Sequence, residues 1–314
     1  MTISGKTQLL GLLGWPVAHS FSPAMHNAAA AALGLDVVYV PLPVRPEDVG
    51  TAVAALPALG ILGVNVTVPH KQAVIPFLDE LEPGAKAIGA VNTIVVNLST
   101  ADNEPPTPNN LQSPISNLQS PAPSPPSLHG HNTDWTGFLA DLADWGVAVN
   151  GRDCLILGAG GSARAVAYAL AVSGGRVQVL ARRGAQAQEL VAAIGPHVPR
   201  PPIGWLNAWP LAELATAVAH TTAPLIVNTT PLGMTPHTDA SPWPADLPIP
   251  PDAFVYDLVY NPATTKLMRQ AQTCGCRTAN GLGMLVWQGA KAFELWTGQT
   301  PDVAVMRAAL GVKD

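Results

Sequence analysis

An apolar run that ends in a glycine-rich turn narrows the folds open to this chain more than any other feature. Leu155-Ile156-Leu157 leads straight into Gly158-Ala159-Gly160-Gly161-Ser162-Ala163, and a helix-forming stretch follows to Ser173. The first glycine suits a tight turn, the second lets backbone approach a pyrophosphate, and a small third residue lets the helix pack on the strand. The helix N-terminus then turns its free N–H groups toward phosphate. Residues Gly158, Ala159, Gly160, Gly161, Ser162 and Ala163 are therefore candidate nucleotide-binding residues.

The surroundings extend this pattern. Strands are expected at Cys154–Leu157, Val177–Ala181, Leu225–Asn228 and Phe254–Leu258, with helices at Gly161–Ser173, about Ala185–Ile194 and near Thr264–Thr273. Alternation of this kind gives a doubly wound parallel sheet. The first third alternates as well: strands at Leu9–Leu13, Val37–Val40, Ile61–Val66 and Val91–Val96, helices at Ser22–Leu33 and Pro46–Leu56, and a short helix from Pro69. Ser22 reads as a helix cap with Pro23 at the first helical position. Parallel pairing is expected there too. A helix from Thr133 carries Trp135, Phe138, Leu142 and Trp145 on one face and stops at Gly146. Two last helices, Gly281–Trp296 and Val303–Leu310, have no strand after them and are expected to pack back on the first domain.

The fold class is α/β with two domains. Residues 1–132 form an α/β substrate domain completed by 281–314, and 133–280 form a Rossmann domain with a doubly wound parallel sheet. A chain of 314 residues, 48% of them hydrophobic, has the apolar material for two cores. Residues 99–127 break the pattern. They are rich in Pro, Ser, Asn and Gln, carry only Asp102 and Glu104 as charges, and repeat Asn-Leu-Gln-Ser-Pro at 110–114 and 117–121. Such a segment cannot bury enough apolar surface to offset the entropy of ordering, so a disordered surface insertion is expected. A proline-rich partner motif is the other reading, but no repeated Pro-x-x-P with basic flanks supports it.

Charge excludes some partners. The net charge is −5 with 16 Lys+Arg and no basic run, which argues against nucleic acid. The start carries no long apolar core and Leu9–Leu13 is too short to span a membrane, so a soluble, cytoplasmic protein is expected. Cys274-Gly275-Cys276 has the look of a metal or redox pair, yet no second cysteine pair or histidine cluster accompanies it. Reduced structural thiols and no metal site are expected. A monomer and a homodimer both remain open.

Cofactor choice falls at the end of the next strand. A site for NAD places a carboxylate there to hold ribose hydroxyls; this chain has Ala181-Arg182-Arg183-Gly184. Two guanidinium groups suit a 2′-phosphate, which points to NADP, whereas in isolation two arginines after a strand are solvated surface. Upstream, alternation in Asn65-Val66-Thr67-Val68 puts Asn65 and Thr67 on one strand face as a ledge for hydroxyl groups. Lys71 would fall in the first turn of the Pro69 helix, where the macrodipole disfavours a cation and eases proton transfer. Taken alone, Lys71 is an ordinary surface lysine, Asp134 an ordinary early-helix acid, and His70 and His131 are supporting or exposed residues.

Together the motifs resemble the shikimate dehydrogenase family. They are Gly14-x-Pro16-x-x-His19-Ser20-x-Ser22-Pro23, Asn65 to Lys71, Gly89-Ala90-Val91-Asn92-Thr93, Asn132-Thr133-Asp134, the glycine turn, Asn228 to Met234, Tyr256-Asp257-x-x-Tyr260 and Gly281-Leu282-Gly283-Met284-Leu285-x-x-Gln288. The resemblance implies NADPH-dependent reduction of 3-dehydroshikimate to shikimate, a step of aromatic amino-acid biosynthesis. By the same resemblance Lys71 is the acid/base and Asp134 its orienting partner. Ser20 and Ser22 hold the substrate carboxylate with Tyr260 nearby, and Asn65, Thr67, Asn92 and Gln288 read the ring hydroxyls. Thr230, Leu232, Met234, Leu258 and Gly281 belong to the cofactor side. Gln288 also lies on an apolar stripe with Met284, Leu285, Ala292 and Leu295, so it needs a buried partner, which a substrate hydroxyl would supply.

The chain departs from the family in three places. Ala181 stands where an Asn is usual, Arg183 where Thr or Ser is common, and His131 where an acid often precedes Asn-Thr-Asp. Two rival readings follow: a quinate/shikimate dehydrogenase using NAD, and a nucleotide-binding regulator without turnover. Gly184, where an acid would mark use of NAD, weighs against the first, and the presence of both Lys71 and Asp134 against the second.

Overall fold

A computed structural model describes residues 3–98, 125–199 and 205–311. Two six-stranded sheets organise them. The first contains β1 (Gln8–Gly14), β2 (Val37–Pro43), β3 (Ile61–Val66), β4 (Glu80–Leu81), β5 (Thr93–Asn97) and β6 (Ser127–His131), in the order β2-β1-β3-β5-β6-β4. Three helices accompany it: α1 (Ser22–Ala32), α2 (Val49–Ala55) and α3 (Pro83–Ile88). The expected all-parallel pairing is corrected here. β1 runs parallel to β2 and β3, but β5 is antiparallel to both β3 and β6. The reason is local: α3 returns the chain to the sheet, and β5 enters it from the opposite end.

Two further expectations in this half fail. No helix starts at Pro69; residues 68–74 form a run of turns, followed by a single 3-10 turn at Ile75–Phe77. The Pro46 segment starts as a 3-10 turn, Pro46–Asp48, before α2. Residues 99–124 of the expected insertion lie outside the described residues, and its last member, Ser127, opens β6.

The second sheet contains β7 (Asp153–Leu157), β8 (Arg176–Ala181), β9 (Leu206–Pro210), β10 (Leu225–Asn228), β11 (Phe254–Asp257) and β12 (Arg277–Asn280). Its order is β12-β11-β10-β7-β8-β9, parallel throughout. From β7 the chain winds outward to one edge, then returns to β10 and winds to the other. The gap between the ends of β7 and β10 is thus the topological switch point, where open α/β sheets bind ligands. α4 (Asp134–Asp144), α5 (Gly161–Val172) and α6 (Gly184–Ile194) pack with one core, while α7 (Leu214–Ala219) and α8 (Lys266–Thr273) pack with the other. The inner strands β7, β10 and β11 are buried on both faces because both faces are covered.

α9 (Leu282–Thr297) and α10 (Val303–Ala308) follow. Val286, Phe293, Trp296 and Met306 join Leu10, Leu12, Met25 and Tyr39 in one core, so the last helices pack on the first sheet. Trp296 fixes the arrangement by donating from Nε1 to Ile94 O at 3.0 Å.

Candidate active site

β3 aims the chain at its end, and the turns after it carry Lys71. His70 anchors this segment, its buried ring lying 2.7 Å from Val44 O, and Val91 N donates to Lys71 O at 2.7 Å. No helix begins at Pro69, so no helix macrodipole acts on Lys71. A carboxylate positions the amine instead: Lys71 Nζ lies 2.6 Å from Asp134 Oδ2. The Lys71 side chain is 20% exposed and that of Asp134 8%, so solvent screens this pair far less than a surface ion pair.

Asp134 opens α4, and its N–H donates to Asn132 Oδ1 at 3.1 Å, while Asn132 Nδ2 donates to Ala90 O at 2.9 Å. Asn92 holds the other carboxylate oxygen: its Nδ2 donates to Asp134 Oδ1 at 2.8 Å, with Thr133 Oγ1 and Gln288 Oε1 at 3.0 and 3.3 Å. Asn92 Oδ1 in turn accepts from Thr133 N at 2.7 Å. Gln288 thus has protein partners already, donating from Nε2 to Leu285 O at 2.8 Å. Asn65 is similarly tied: Tyr39 OH donates to its Oδ1 at 2.8 Å, and its Nδ2 lies 3.2 Å from both Asn92 O and Thr93 Oγ1.

Ser22 does not cap α1; it is the first helical residue after Phe21, and no side chain caps that end. Ser20 Oγ accepts from Ser22 N at 3.2 Å, which sets both hydroxyls on one short turn. Tyr260 faces them with its ring centroid 5.7 Å from that of Phe21, and burial raises its phenol pKa, so the hydroxyl stays neutral. His131, half-buried at the end of β6, is shifted down chiefly by burial, against the pull of Glu82, while its backbone carbonyl accepts from Asn92 N at 3.0 Å.

These residues surround a cavity of about 470 Å³. Ser20, Ser22, Asn65, Thr67, Lys71, Asn92, Asp134, Tyr260 and Gln288 line it, joined from the second sheet by Ser162, Met234, Leu258 and Gly281. Leu12, Pro16, Val17, His19, Val66, Met284 and Leu285 complete the wall, and sequence reasoning assigned none of them a role; Pro16, His19, Val66, Met284 and Leu285 lie inside the family motifs, the signal that could have found them. Gly158, Ala159, Gly160, Gly161, Ala163, Arg182, Arg183, Thr230 and Leu232 do not line the cavity. They lie on the segments that follow β7, β8 and β10.

That edge fits a dinucleotide. Gly158 has φ +119°, and a Cβ there would lie 2.5 Å from Thr229 Oγ1, so only glycine makes this turn. Gly160 caps α5, and space is open above it and Gly161. Ala163 is fully buried beneath, where the turn calls for a small residue. Arg182 and Arg183 are exposed between β8 and α6. Asn228 Oδ1 accepts from both Thr230 N (2.9 Å) and Thr230 Oγ1 (2.7 Å), which folds the loop that carries Leu232 and Met234.

Comparison with known proteins agrees with this geometry. Residues 12–94 match the shikimate dehydrogenase substrate binding domain, and 281–310 match the shikimate 5′-dehydrogenase C-terminal domain. The NADP(+) shikimate dehydrogenase of Moorella thermoacetica is 44% identical over 310 residues, 98% of this chain and 94% of that one. The chain belongs to the shikimate dehydrogenase family. Among solved members of the family, a shikimate dehydrogenase in complex with NADP+ superposes with a TM-score of 0.83 at 36% identity, covering 98% of this chain and 96% of that one. The Thermus thermophilus enzyme in complex with NADP(H) and shikimate gives 0.78 at 36% identity, covering 97% and 98%.

Proposed function

We propose that this chain catalyses the reversible reduction of 3-dehydroshikimate to shikimate with NADPH, Lys71 serving as acid in that direction and base in the other. One observation carries the reading. The Lys71–Asp134 pair and the start of the nucleotide turn's helix, at Ser162, line the same cavity. A proton donor and a dinucleotide cradle therefore face one substrate-sized space.

Bound NADPH supplies the hydride. The Lys71 ammonium gives its proton to the carbonyl oxygen as negative charge develops there, and Asp134 holds the ammonium on line throughout. Asn92 occupies the second Asp134 oxygen, so the carboxylate cannot swing away from the lysine. Ser20 and Ser22 bind the ring carboxylate with Tyr260 beside them, and Asn65, Thr67, Asn92 and Gln288 frame the ring hydroxyls. Arg182 and Arg183 would hold the 2′-phosphate, the glycine turn the pyrophosphate, and Thr230, Leu232, Met234, Leu258 and Gly281 would flank the nicotinamide end. Residues 1–132 with 281–314 act as the substrate domain and 133–280 as the nucleotide domain. Among the described residues no helix is long and apolar enough to cross a membrane. The setting is cytoplasmic aromatic amino-acid biosynthesis, with the chain working as a monomer or homodimer.

The test is a spectrophotometric assay of the purified chain with shikimate and with quinate, each against NADP+ and NAD+. Efficient turnover confined to shikimate with NADP+ is expected. Equal turnover with NAD+ would overturn the role of the arginines, equal turnover with quinate the choice of shikimate, and no turnover of shikimate would overturn the activity.

A further inference from the structure

One buried carboxylate takes no part in this chemistry. Asp257 ends β11, is fully buried, and has no cation beside it among the described residues. Only neutral donors reach it: Asn228 Nδ2 at 2.8 Å and Val259 N at 3.0 Å on Oδ1, and Thr265 Oγ1 at 2.6 Å on Oδ2. Burial lifts its pKa to about 6, the mark of a charge held at a cost in the interior. A sheet end that needed only packing would be better served by an apolar residue.

The two bonds on Oδ1 go to the two loops that build the nucleotide side of the cavity. Asn228 folds the loop after β10 through its two bonds to Thr230 and reaches Leu232 O at 3.3 Å. The bond to Val259 N bends the chain after β11, so that Leu258 and Tyr260 both face the cavity. There is no slack behind that bend: a Cβ on Gly281 would lie 2.1 Å from Leu258 O. Asp257 itself does not line the cavity.

We infer that Asp257 is a positioning residue, one carboxylate that clamps the loops after β10 and β11 and so sets the nicotinamide-side wall of the site. This rests on the dehydrogenase reading for its ligand, but not for its geometry. Charge-assisted bonds are about twice as strong as neutral ones, so the amide of Asp257→Asn should hold the loops less firmly and weaken NADP+ binding by about fivefold. Asp257→Ala, which leaves Val259 N without a partner and Asn228 Nδ2 with only its longer contact to Leu232 O, should weaken it further. Thr265→Val removes the Oδ2 bond alone, and the helix cap with it, and should lower the melting temperature while leaving NADP+ affinity within about twofold.

The experiment is fluorescence titration of each variant with NADP+, beside kcat and KM for shikimate and a melting curve. The graded order Ala, Asn, Val in NADP+ affinity, with shikimate KM moving less than the cofactor constant, is expected. NADP+ affinity per folded molecule unchanged in Asp257→Asn, or equally weakened in Thr265→Val, would reduce Asp257 to a folding role. Should Asp257→Ala not fold, the Asn and Val variants still decide. A wild-type chain that binds NADP+ but does not oxidise shikimate would sink the dehydrogenase reading instead, while the titration would still judge the clamp.

Discussion

The substrate wall of the cavity and the nucleotide edge beside it are built in opposite ways. On the substrate wall, side chains distant in sequence already satisfy one another: Lys71 meets Asp134 across 63 positions, Asn92 meets Asp134 across 42 and Gln288 across 196. On the nucleotide edge beside it, outside the cavity lining, the recognition surface is backbone, open space above Gly160 and Gly161, and two exposed arginines. The wall is set before any ligand arrives, and the edge is completed by its ligand. Preorganised polar groups act on the transition state, whereas exposed surface cations act on binding. Substitutions on the wall and on the edge should therefore separate into effects on kcat and effects on cofactor KM.

The largest effect should come from Lys71→Ala. Removal of a positioned acid costs roughly 10²–10⁴-fold in rate, and kcat should fall by that much while NADP+ affinity holds. Retention of full kcat would break the comparison, because the fixed wall would then hold no chemistry. Asp134→Asn comes next. It keeps the shape but removes the charge that steadies the ammonium, and kcat should drop by about 10–100-fold, the value of a hydrogen bond to a charged group. A change confined to KM would mean that Asp134 serves binding rather than catalysis.

Smaller still is the effect across the cleft. Replacing Arg182 and Arg183 together by Ala should raise KM for NADP+ by about tenfold or more and leave KM for NAD+ unchanged, since NAD+ has no 2′-phosphate to meet them. Added salt should erode the wild-type preference in the same direction, because exposed charges are screened. Parallel shifts for both cofactors would show that the arginines act on the protein rather than on the phosphate.

The same contrast explains what was legible in the sequence. The second sheet was readable because parallel strands covered on both faces are continuous apolar runs, and its glycine turn states its own geometry. Even there the two edge strands, β9 (Leu206-Asn207-Ala208-Trp209-Pro210) and β12 (Arg277-Thr278-Ala279-Asn280), carry no such run and are absent from the expected strands. In the first sheet β6 alternates Leu128 and Gly130 with two histidines, a pattern too polar to announce a strand, and its antiparallel place depends on β5. The Pro69 helix failed because tertiary contacts of His70 and Lys71 hold the segment in turns, overriding the local signal of proline. For the site, motif order brought Lys71 and Asp134 to attention. Tyr39 behind Asn65 was silent, and Thr133 beside Asn92 and Asp257 behind Asn228 stood in motifs without a role, since each acts through a partner that only folding brings near.

The last prediction concerns the support behind the substrate wall and acts on stability alone. His26 on α1 stacks on Tyr39, the residue that holds Asn65, with ring centroids 4.3 Å apart and planes 8° from parallel; Phe293 and Trp296 close the stack at 6.1 and 5.5 Å. Neither ring nitrogen makes a hydrogen bond of good geometry among the described residues, and burial, against a weaker pull from Asn65, takes the pKa from 6.5 down to about 3. The unfolded chain therefore takes up a proton below 6.5 that the folded chain refuses, so stability falls as pH drops through the window from 6.5 toward 3. At pH 5 this amounts to about 2 kcal/mol, from 1.36 kcal/mol per pKa unit. His26→Phe keeps a flat ring in the stack but cannot titrate. Urea unfolding at pH 7 and pH 5 should show the wild type losing about 2 kcal/mol more than the Phe variant between the two. If the two proteins lose stability in parallel, the ring is not held neutral, and the aromatic wall behind Asn65 is more open to water than its packing implies.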